Sequence, residues 1–268
     1  MIMEFYKYIY VVLVYKNIDV LEDFFRTLDF KQSKVIVVNS YFDDSSLKKC
    51  SEVANKNNAD FIPIPNKGFS YGNNIGTKYA LEHYNFEFLI LSNSDIKIKD
   101  LSGLSKFEGK EMVIAPETVL RNGKRQNPDT PWNLRFIYPM LEISFRYNLK
   151  LLYTLCHIFT RVSRELFRLF SFLFRKDKYR IFSAHGSFII FTEKSVEKLY
   201  PFFDDRMFLY NEEWFLALKA RKCQTPIYYI PELKVLHLEG ASSDLSSFYK
   251  YDKESFSILN EWRKHNCL

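Results

Sequence analysis

The chain has 268 residues, of which 47% are apolar and 18% aromatic, enough for one large folded core or two small ones. Its four cysteines, Cys50, Cys156, Cys223 and Cys267, form neither a CxxC pair nor a zinc spacing, which argues for a reduced setting and against a disulfide scaffold. Net charge is +6, and residues 132–182 carry ten Lys/Arg against three Asp/Glu, a local +7; so concentrated a charge points to a local anionic partner and away from nucleic acid.

The apolar run at residues 9–15 is too short for a signal core with a cleavage site. It reads as a first buried strand, YIYVVLVY at 8–15. No stretch approaches about 18 uninterrupted apolar residues, so no spanning helix is expected. An amphipathic segment at 18–28 follows, then a strand, KVIVV, at 34–38. Asp44 or Ser45 would cap the next helix, which ends near Asn58. DFIPI at 60–64 is a third strand, a helix runs from about Ser70 to His83, and FEFLILS at 86–92 is a fourth strand. This βαβαβαβ order predicts an α/β fold with a mostly parallel central sheet flanked by helices. Ligands of such sheets bind at the carboxyl ends of the strands, where residues 39–44 and 93–95 fall. Beyond Asp100 the alternation weakens. EMVIAPET at 111–118 reads as a strand and RNGKRQNPDTP at 121–131 as a polar loop. After the basic segment come SFIIF at 187–191, Thr192 as a helix cap, a helix near 211–222, and PIYYIP and KVLHL as two short strands.

Four groups of residues carry candidate chemistry. Gly68, Gly72 and Gly76 are spaced by four, which matches neither the dinucleotide fingerprint nor a Walker loop. The spacing puts Gly72 and Gly76 on one helix face, suited either to a close ligand or to tight helix–sheet packing. Asn73 and Asn74 add amide groups there. Asn93-Ser94-Asp95 ends a buried strand; Asp95 can hold a divalent cation that bridges phosphates, or simply form an Asx turn. Glu212 and Glu213 open a helix beside Phe208, Tyr210 and Trp214. They either satisfy the helix dipole or supply a general base, since burial beside aromatics raises a carboxyl pKa. His237 is a lone strand histidine that gains interest if Asp95 binds a metal, because imidazole and carboxylate together suit Mn²⁺.

The order VVLVYKN, VVNSYFDDSS, NKGFSYGNNIG, LILSNSD, SAHGSFIIF, FDDRMFLYNEEW and YIPELKVLH resembles the family-two bacterial glycosyltransferases of GT-A fold, including rhamnosyltransferase-like members that build surface polysaccharides. The resemblance covers about residues 8–120 and 183–243. It implies that Asn39 and Asp44 face the base and ribose of a nucleotide-diphospho-sugar. Gly68, Asn73, Asn74 and Asn93 would lie along the sugar and diphosphate, and Asp95 with His237 would hold Mn²⁺ or Mg²⁺. Gly186, Tyr210 and Trp214 would fall on the acceptor side, with Glu213 as catalytic base and Glu212 before it. Asn39 and Asn93 stand where the family has acids, Glu213 stands where it has Asp, and Phe215 stands where an acid is frequent.

The intervening segment is predicted as a long helix from about Leu141 to Arg175. Arg146, Lys150, His157, Arg161, Arg164, Arg168 and Arg175 are spaced 4, 7, 4, 3, 4 and 7, within about 60° of arc. A wide apolar face surrounds this stripe, the pattern of a helix lying in a membrane surface with its cations on phosphate headgroups, or else of a core or dimer helix showing one solvated stripe; the apolar arc is too wide for ordinary one-sided packing and favours the membrane. The expected organisation is a nucleotide-sugar half at 1–120, a basic aromatic insertion at 132–182 facing the membrane or the acceptor, and an acceptor half at 183–268. The expected function is metal-assisted, inverting transfer to a lipid-linked glycan at the cytoplasmic face of the cell membrane. A nucleotidyltransferase on a related sheet and a non-enzymatic membrane-binding module are the alternatives.

Overall fold

The structure, a computed structural model, describes residues 3–16, 18–238 and 245–267. Four strands, β1 (Glu4–Val14), β2 (Ser33–Tyr41), β3 (Asp60–Pro65) and β4 (Tyr84–Asn93), run parallel in the order β3-β2-β1-β4. They alternate with α1 (Asp19–Phe25), α2 (Asp44–Lys56) and α3 (Phe69–His83). The second half adds β5 (Ile96–Asp100), β6 (Val113–Leu120), β7 (Tyr179–Ile181), β8 (Phe188–Thr192) and β9 (Ile227–His237). It also supplies α4 (Ile137–Arg146), α5 (Lys150–Leu173), α6 (Glu193–Leu199), α7 (Glu212–Lys222) and α8 (Leu245–His265). β8 joins the halves, antiparallel to both β4 and β6, and β9 continues parallel to β6. The central strands are buried on both faces, which is why they read as unbroken apolar runs. Leu21, Phe24 and Cys50 of α1 and α2 cover one face, and Ala80, Leu199 and Leu216 of α3, α6 and α7 cover the other.

Several local expectations are corrected. Residues 227–237 form one strand, not two, because a register shift opposite Pro116 and Glu117 lets β9 bend past β6 without breaking. Asp43, not Asp44, caps α2: Ser46 N donates to Asp43 Oδ1 at 2.7 Å, leaving Asp44 as an exposed first-turn acid. The Thr192 hydroxyl bonds the backbone of Met112 at 3.2 Å and does not cap α6. Neither β5 nor α8 was expected.

The basic helix is two helices, broken at 147–149, where Asn148 adopts φ +53°. The inner face of α5 is its more polar one, seated through Cys156, Ser163 and Phe167. Phe167 packs edge-on against Tyr179 and Tyr229 at centroid distances of 5.6 and 6.1 Å. The stripe of cations is therefore not a single outward row. His157 and Arg164 face an internal cavity, and Arg168 donates to the Arg125 carbonyl at 2.6 Å. Arg146, Lys150, Arg161 and Arg175 are exposed. Outward lies the apolar face: of the 20 exposed large hydrophobics among the described residues, 12 fall between Leu149 and Phe174, so this helix holds most of the unsheltered apolar surface. Among the described residues no helix is long and apolar enough to cross a membrane.

The glycines of α3 serve contact within the protein. A Cβ on Gly72 or Gly76 would collide with Leu13 or Val11 of β1. Gly68 takes φ +97°, and a Cβ there would lie 2.3 Å from the Phe208 carbonyl oxygen, to which Phe69 N donates at 2.8 Å. Gly68→Ala is expected to destabilise the fold by about 3 kcal/mol through strain and backbone displacement. Gly109→Ala, at φ +66° with open space around it, should cost only about 1 kcal/mol. Urea denaturation of both variants checks the difference.

Candidate active site

A cavity of about 720 Å³ opens between the sheet, α5, α7 and α8. Seven of the residues singled out in the sequence line it: Asn93, Gly186, Tyr210, Glu212, Glu213, Trp214 and His237. Asn39, Asp44, Gly68, Asn73, Asn74 and Asp95 do not.

Glu213 sits in the first turn of α7, just after two consecutive left-handed residues, Tyr210 (φ +72°) and Asn211 (φ +65°). Such a turn is uncommon for side-chain-bearing residues and marks a site held by its surroundings. Here the holding is done by Asp252 of α8, whose Oδ1 accepts from Asn211 Nδ2 at 2.6 Å and whose Oδ2 accepts from the Tyr153 hydroxyl at 2.5 Å. Gly186 N donates to Glu213 Oε1 at 3.1 Å, and a Cβ on Gly186 would come within 2.8 Å of that oxygen. Gly186 thus precedes β8 and admits the carboxylate. Burial, and then the nearby Asp129 carboxylate, push the Glu213 carboxyl up to about 7. Glu212 is buried, and its own burial with the neighbouring Glu213 holds its carboxyl well above the usual range. The indole of Trp214 donates to Thr130 Oγ1 at 3.0 Å and packs edge-on against Tyr138 at 5.4 Å. Tyr210 packs against Phe248 at 4.4 Å.

Next to Gly186, Ser187 accepts at its carbonyl, at 2.9 Å, the N–H of Asn93, which closes β4. His237 closes β9, with Nδ1 2.7 Å from Gln126 Oε1 and Nε2 3.1 Å from Asp95 Oδ1. A carbonyl oxygen only accepts, so Nδ1 donates, and a neutral ring turns its Nε2 lone pair toward the carboxylate. Two lone-pair atoms so close repel unless a proton or a cation is shared between them. Their separation matches neighbouring ligands on a six-coordinate ion, about 3.0 Å apart for bonds of about 2.1 Å. A protonated ring would satisfy the contact as an ion pair, and a neutral ring would leave the two atoms able to supply two ligands to a divalent cation. Among the described residues, no group of three or more His, Cys, Asp or Glu could hold a metal ion.

The donor-side asparagines are engaged within the protein. Asn74 Nδ2 donates to Phe203 O and Asp205 Oδ1, and its Oδ1 accepts from Phe202 N and Phe203 N. Asn73 Nδ2 donates to Phe69 O. Asn39 is buried at the end of β2, its Nδ2 3.5 Å from Val14 O and its Oδ1 without a hydrogen-bond partner.

Sequence reasoning missed Gln126, Asp129, His185 and Asp252, and read Arg164 and His157 only as part of the cationic stripe. Asp129 lies in the polar loop at 121–131, where Thr130 and Ser183 hydroxyls donate to its Oδ2 at 3.0 and 2.8 Å. His185 accepts at Nδ1 from Ser187 N at 3.2 Å, and burial lowers its pKa to about 4, so the ring is neutral at pH 7. Their only sequence signal is polarity beside a strand.

No protein-family model and no curated protein matches the chain. Solved structures share its architecture. GalNAc-T7, crystallised with UDP, GalNAc and Mn²⁺, aligns over 97% of this chain with a TM-score of 0.60 and 12% identity. TarS from S. aureus aligns over 91% with a TM-score of 0.55 and 16% identity. Residues 1–349 of TarS in complex with UDP-GlcNAc align over 91% with a TM-score of 0.51 and 16% identity. The chain spans 54% of the GalNAc-T7 chain, 38% of the longer TarS chain and 64% of the shorter one. At such identities the likeness shows the fold, which is GT-A-type.

Asp129→Asn removes a negative charge beside Glu213 while keeping an oxygen for Thr130 and Ser183. The Glu213 midpoint is expected to fall from about 7 toward the ordinary carboxylate range. Carboxyl carbon NMR of glutamate-labelled protein measures it.

Proposed function

We propose that the chain is an inverting glycosyltransferase that moves a sugar from a nucleotide-diphospho-sugar to a glycan acceptor. One observation carries the reading: Glu213, raised to about 7, shares a cavity on a GT-A-type fold with Asn93 and His237. Its neighbours in fold hold UDP, UDP-GlcNAc and Mn²⁺. Glu213 Oε2 or Oε1 takes the proton of an acceptor hydroxyl as that oxygen bonds to the anomeric carbon. The bond from that carbon to the diphosphate oxygen breaks, and the nucleoside diphosphate leaves with the electron pair. Gly186 N holds the carboxylate in place, and Asp129 keeps its affinity for a proton high enough for the task. Asn39 Oδ1, buried without a partner at the carboxyl edge of the parallel strands, is suited to the nucleotide, with Asp44 and Gly68 nearer solvent and the α3 turn. A divalent cation, Mn²⁺ or Mg²⁺, held by Asp95 and His237 supplies positive charge to the leaving diphosphate when bound.

The outer face of α5 favours a lipid surface as the place of work. From Arg146 to Arg180 nine Lys/Arg meet two Asp/Glu, so the apolar ridge is flanked by cations suited to anionic headgroups. A lipid-linked acceptor, as in surface polysaccharide assembly at the inner membrane face, fits that placement. A binding module without chemistry would also use this ridge, yet it gives no reason for four cavity carboxyls, Asp129, Glu212, Glu213 and Asp252.

Incubation with a panel of UDP-, dTDP- and GDP-sugars, with membrane extract and Mn²⁺, is expected to release nucleoside diphosphate from at least one donor. Glu213→Gln should lower kcat by about 10²–10⁴-fold. In the wild type kcat should rise with pH around a midpoint near 7, because only the ionised carboxyl accepts the proton. Full activity in Glu213→Gln, or persistent silence with every donor, rejects the reading. Asp95→Ala should remove the dependence on Mn²⁺ together with most of the transfer.

Vesicles of phosphatidylglycerol should float the wild type and lose the variant carrying Leu151→Ser, Leu155→Ser, Leu169→Ser and Phe172→Ser. Equal flotation of both proteins removes α5 as the contact.

A further inference from the structure

Two buried polar atoms on the wall of the cavity have no hydrogen-bond partner: Glu212 Oε1 and His157 Nε2. They come from different elements, Glu212 from the first turn of α7 and His157 from the inner face of α5. Among the described residues, the acid paired with His157 is Asp252, 3.7 Å from Nε2 and beyond hydrogen-bond reach. Both oxygens of Asp252 are already used, by Tyr153 and Asn211. Glu212 is 3% exposed, so its unpaired oxygen costs stability, and His157, 40% exposed as a side chain, keeps only Nε2 shielded beside it; together the two atoms offer an occupant a pair of polar partners.

We infer that Glu212 and His157 form a hydroxyl-binding subsite for a neutral sugar unit of the acceptor, beside the base Glu213. The inference rests on the glycosyl-transfer reading. The chemistry of the wall selects the ligand. A sugar hydroxyl both donates and accepts, so one unit can satisfy an imidazole nitrogen and a carboxyl oxygen together. Burial and the neighbouring Glu213 raise the Glu212 carboxyl, which favours the protonated form, and that form can donate as well as accept. Asp129, Glu213 and Asp252 line the same cavity and oppose a phosphate or carboxylate at this end. The rings of Tyr210 and Phe248, with centroids 4.4 Å apart, and the side chains of Ile137 and Leu141 offer apolar surface to the C–H face of a pyranose. Adjacent to Glu213, a sugar seated here brings another of its hydroxyls toward the base.

Saturation-transfer NMR tests this with methyl glycosides of glucose, N-acetylglucosamine, galactose and rhamnose, and with their fully O-methylated forms as controls. At least one free glycoside is expected to bind the wild type, and its O-methylated form is not. Glu212→Ala and His157→Ala should each weaken that binding at least fivefold, while Glu212→Gln, the neutral isostere, stays within twofold. Glu212→Gln should also melt no lower than the wild type, as an unpaired buried acid is removed. UDP affinity, measured in parallel, should be unchanged in all three variants. Binding of no glycoside with UDP binding intact overturns the subsite alone. Loss of binding to both glycosides and every nucleotide overturns the transfer reading beneath it. Glycoside binding indifferent to both alanine variants, or lost in Glu212→Gln as fully as in Glu212→Ala, overturns the assignment of these residues.

Discussion

The contact between the turn at Gly68 and the backbone of Phe208 ties the two halves of this molecule together. Phe69 N reaches the Phe208 carbonyl at 2.8 Å only because residue 68 lacks a side chain. One turn later, Asn74 uses its whole amide on Phe202, Phe203 and Asp205. The segment leading to Glu212 and Glu213 is thereby fastened to the start of α3, and α3 is fastened to β1 through Gly72 and Gly76. The acid pair belongs to the second half of the chain, yet its position is set by the parallel half. From the far side Asp252 of α8 grips the left-handed turn at Asn211, so the start of α7 is held between two elements. Such bracing lets a carboxyl remain buried close to other acids without the loop moving to relieve it.

The placement of Glu213 shows how local accommodation and electrostatics converge. Gly186 leaves room for the carboxylate, and its N–H bonds it. That bond favours the ionised form, while burial and Asp129 oppose it more strongly. The result is a group poised near neutrality. His237, whose ring lies 6.2 Å from that of His185, meets a different arrangement: Gln126 fixes its proton on one nitrogen, and Asp95 faces the other. Residues 185–187 thus bring the raised carboxyl and the histidine–aspartate pair onto one stretch of the cavity wall.

Much of the first half was legible in sequence because strands buried on both faces leave long apolar runs, as β1, β2 and β4 do, while β3, with only Ile64 buried, was read from its short apolar segment. The acids at 212–213 were legible because a pair of carboxyls opening a helix after aromatic residues is locally visible. The meaning of the glycines was not, since a spacing of four serves a ligand and a neighbouring strand equally; the side chains of Leu13 and Val11 decide it. Asp129 and His185 escaped notice because their importance depends on packing against Glu213 and His237, far away in the chain. For α5 the phase of the pattern was readable, but a helical wheel does not say which side meets the protein. The apolar face and four cations, Arg146, Lys150, Arg161 and Arg175, lie outward as the pattern suggested, whereas His157 and Arg164 line the cavity.

This placement gives α5 a double identity, with one surface lining the cavity and another forming part of the outer skin of the molecule. The helix is seated by only three buried side chains, Cys156, Ser163 and Phe167, so its outer face and the cavity wall are two sides of one lightly anchored element. If lipid lies against it, the relevant concentration of acceptor becomes a number per unit area. Turnover would then follow the crowding and composition of that surface, and dilution into bulk water would say little about how fast the protein works.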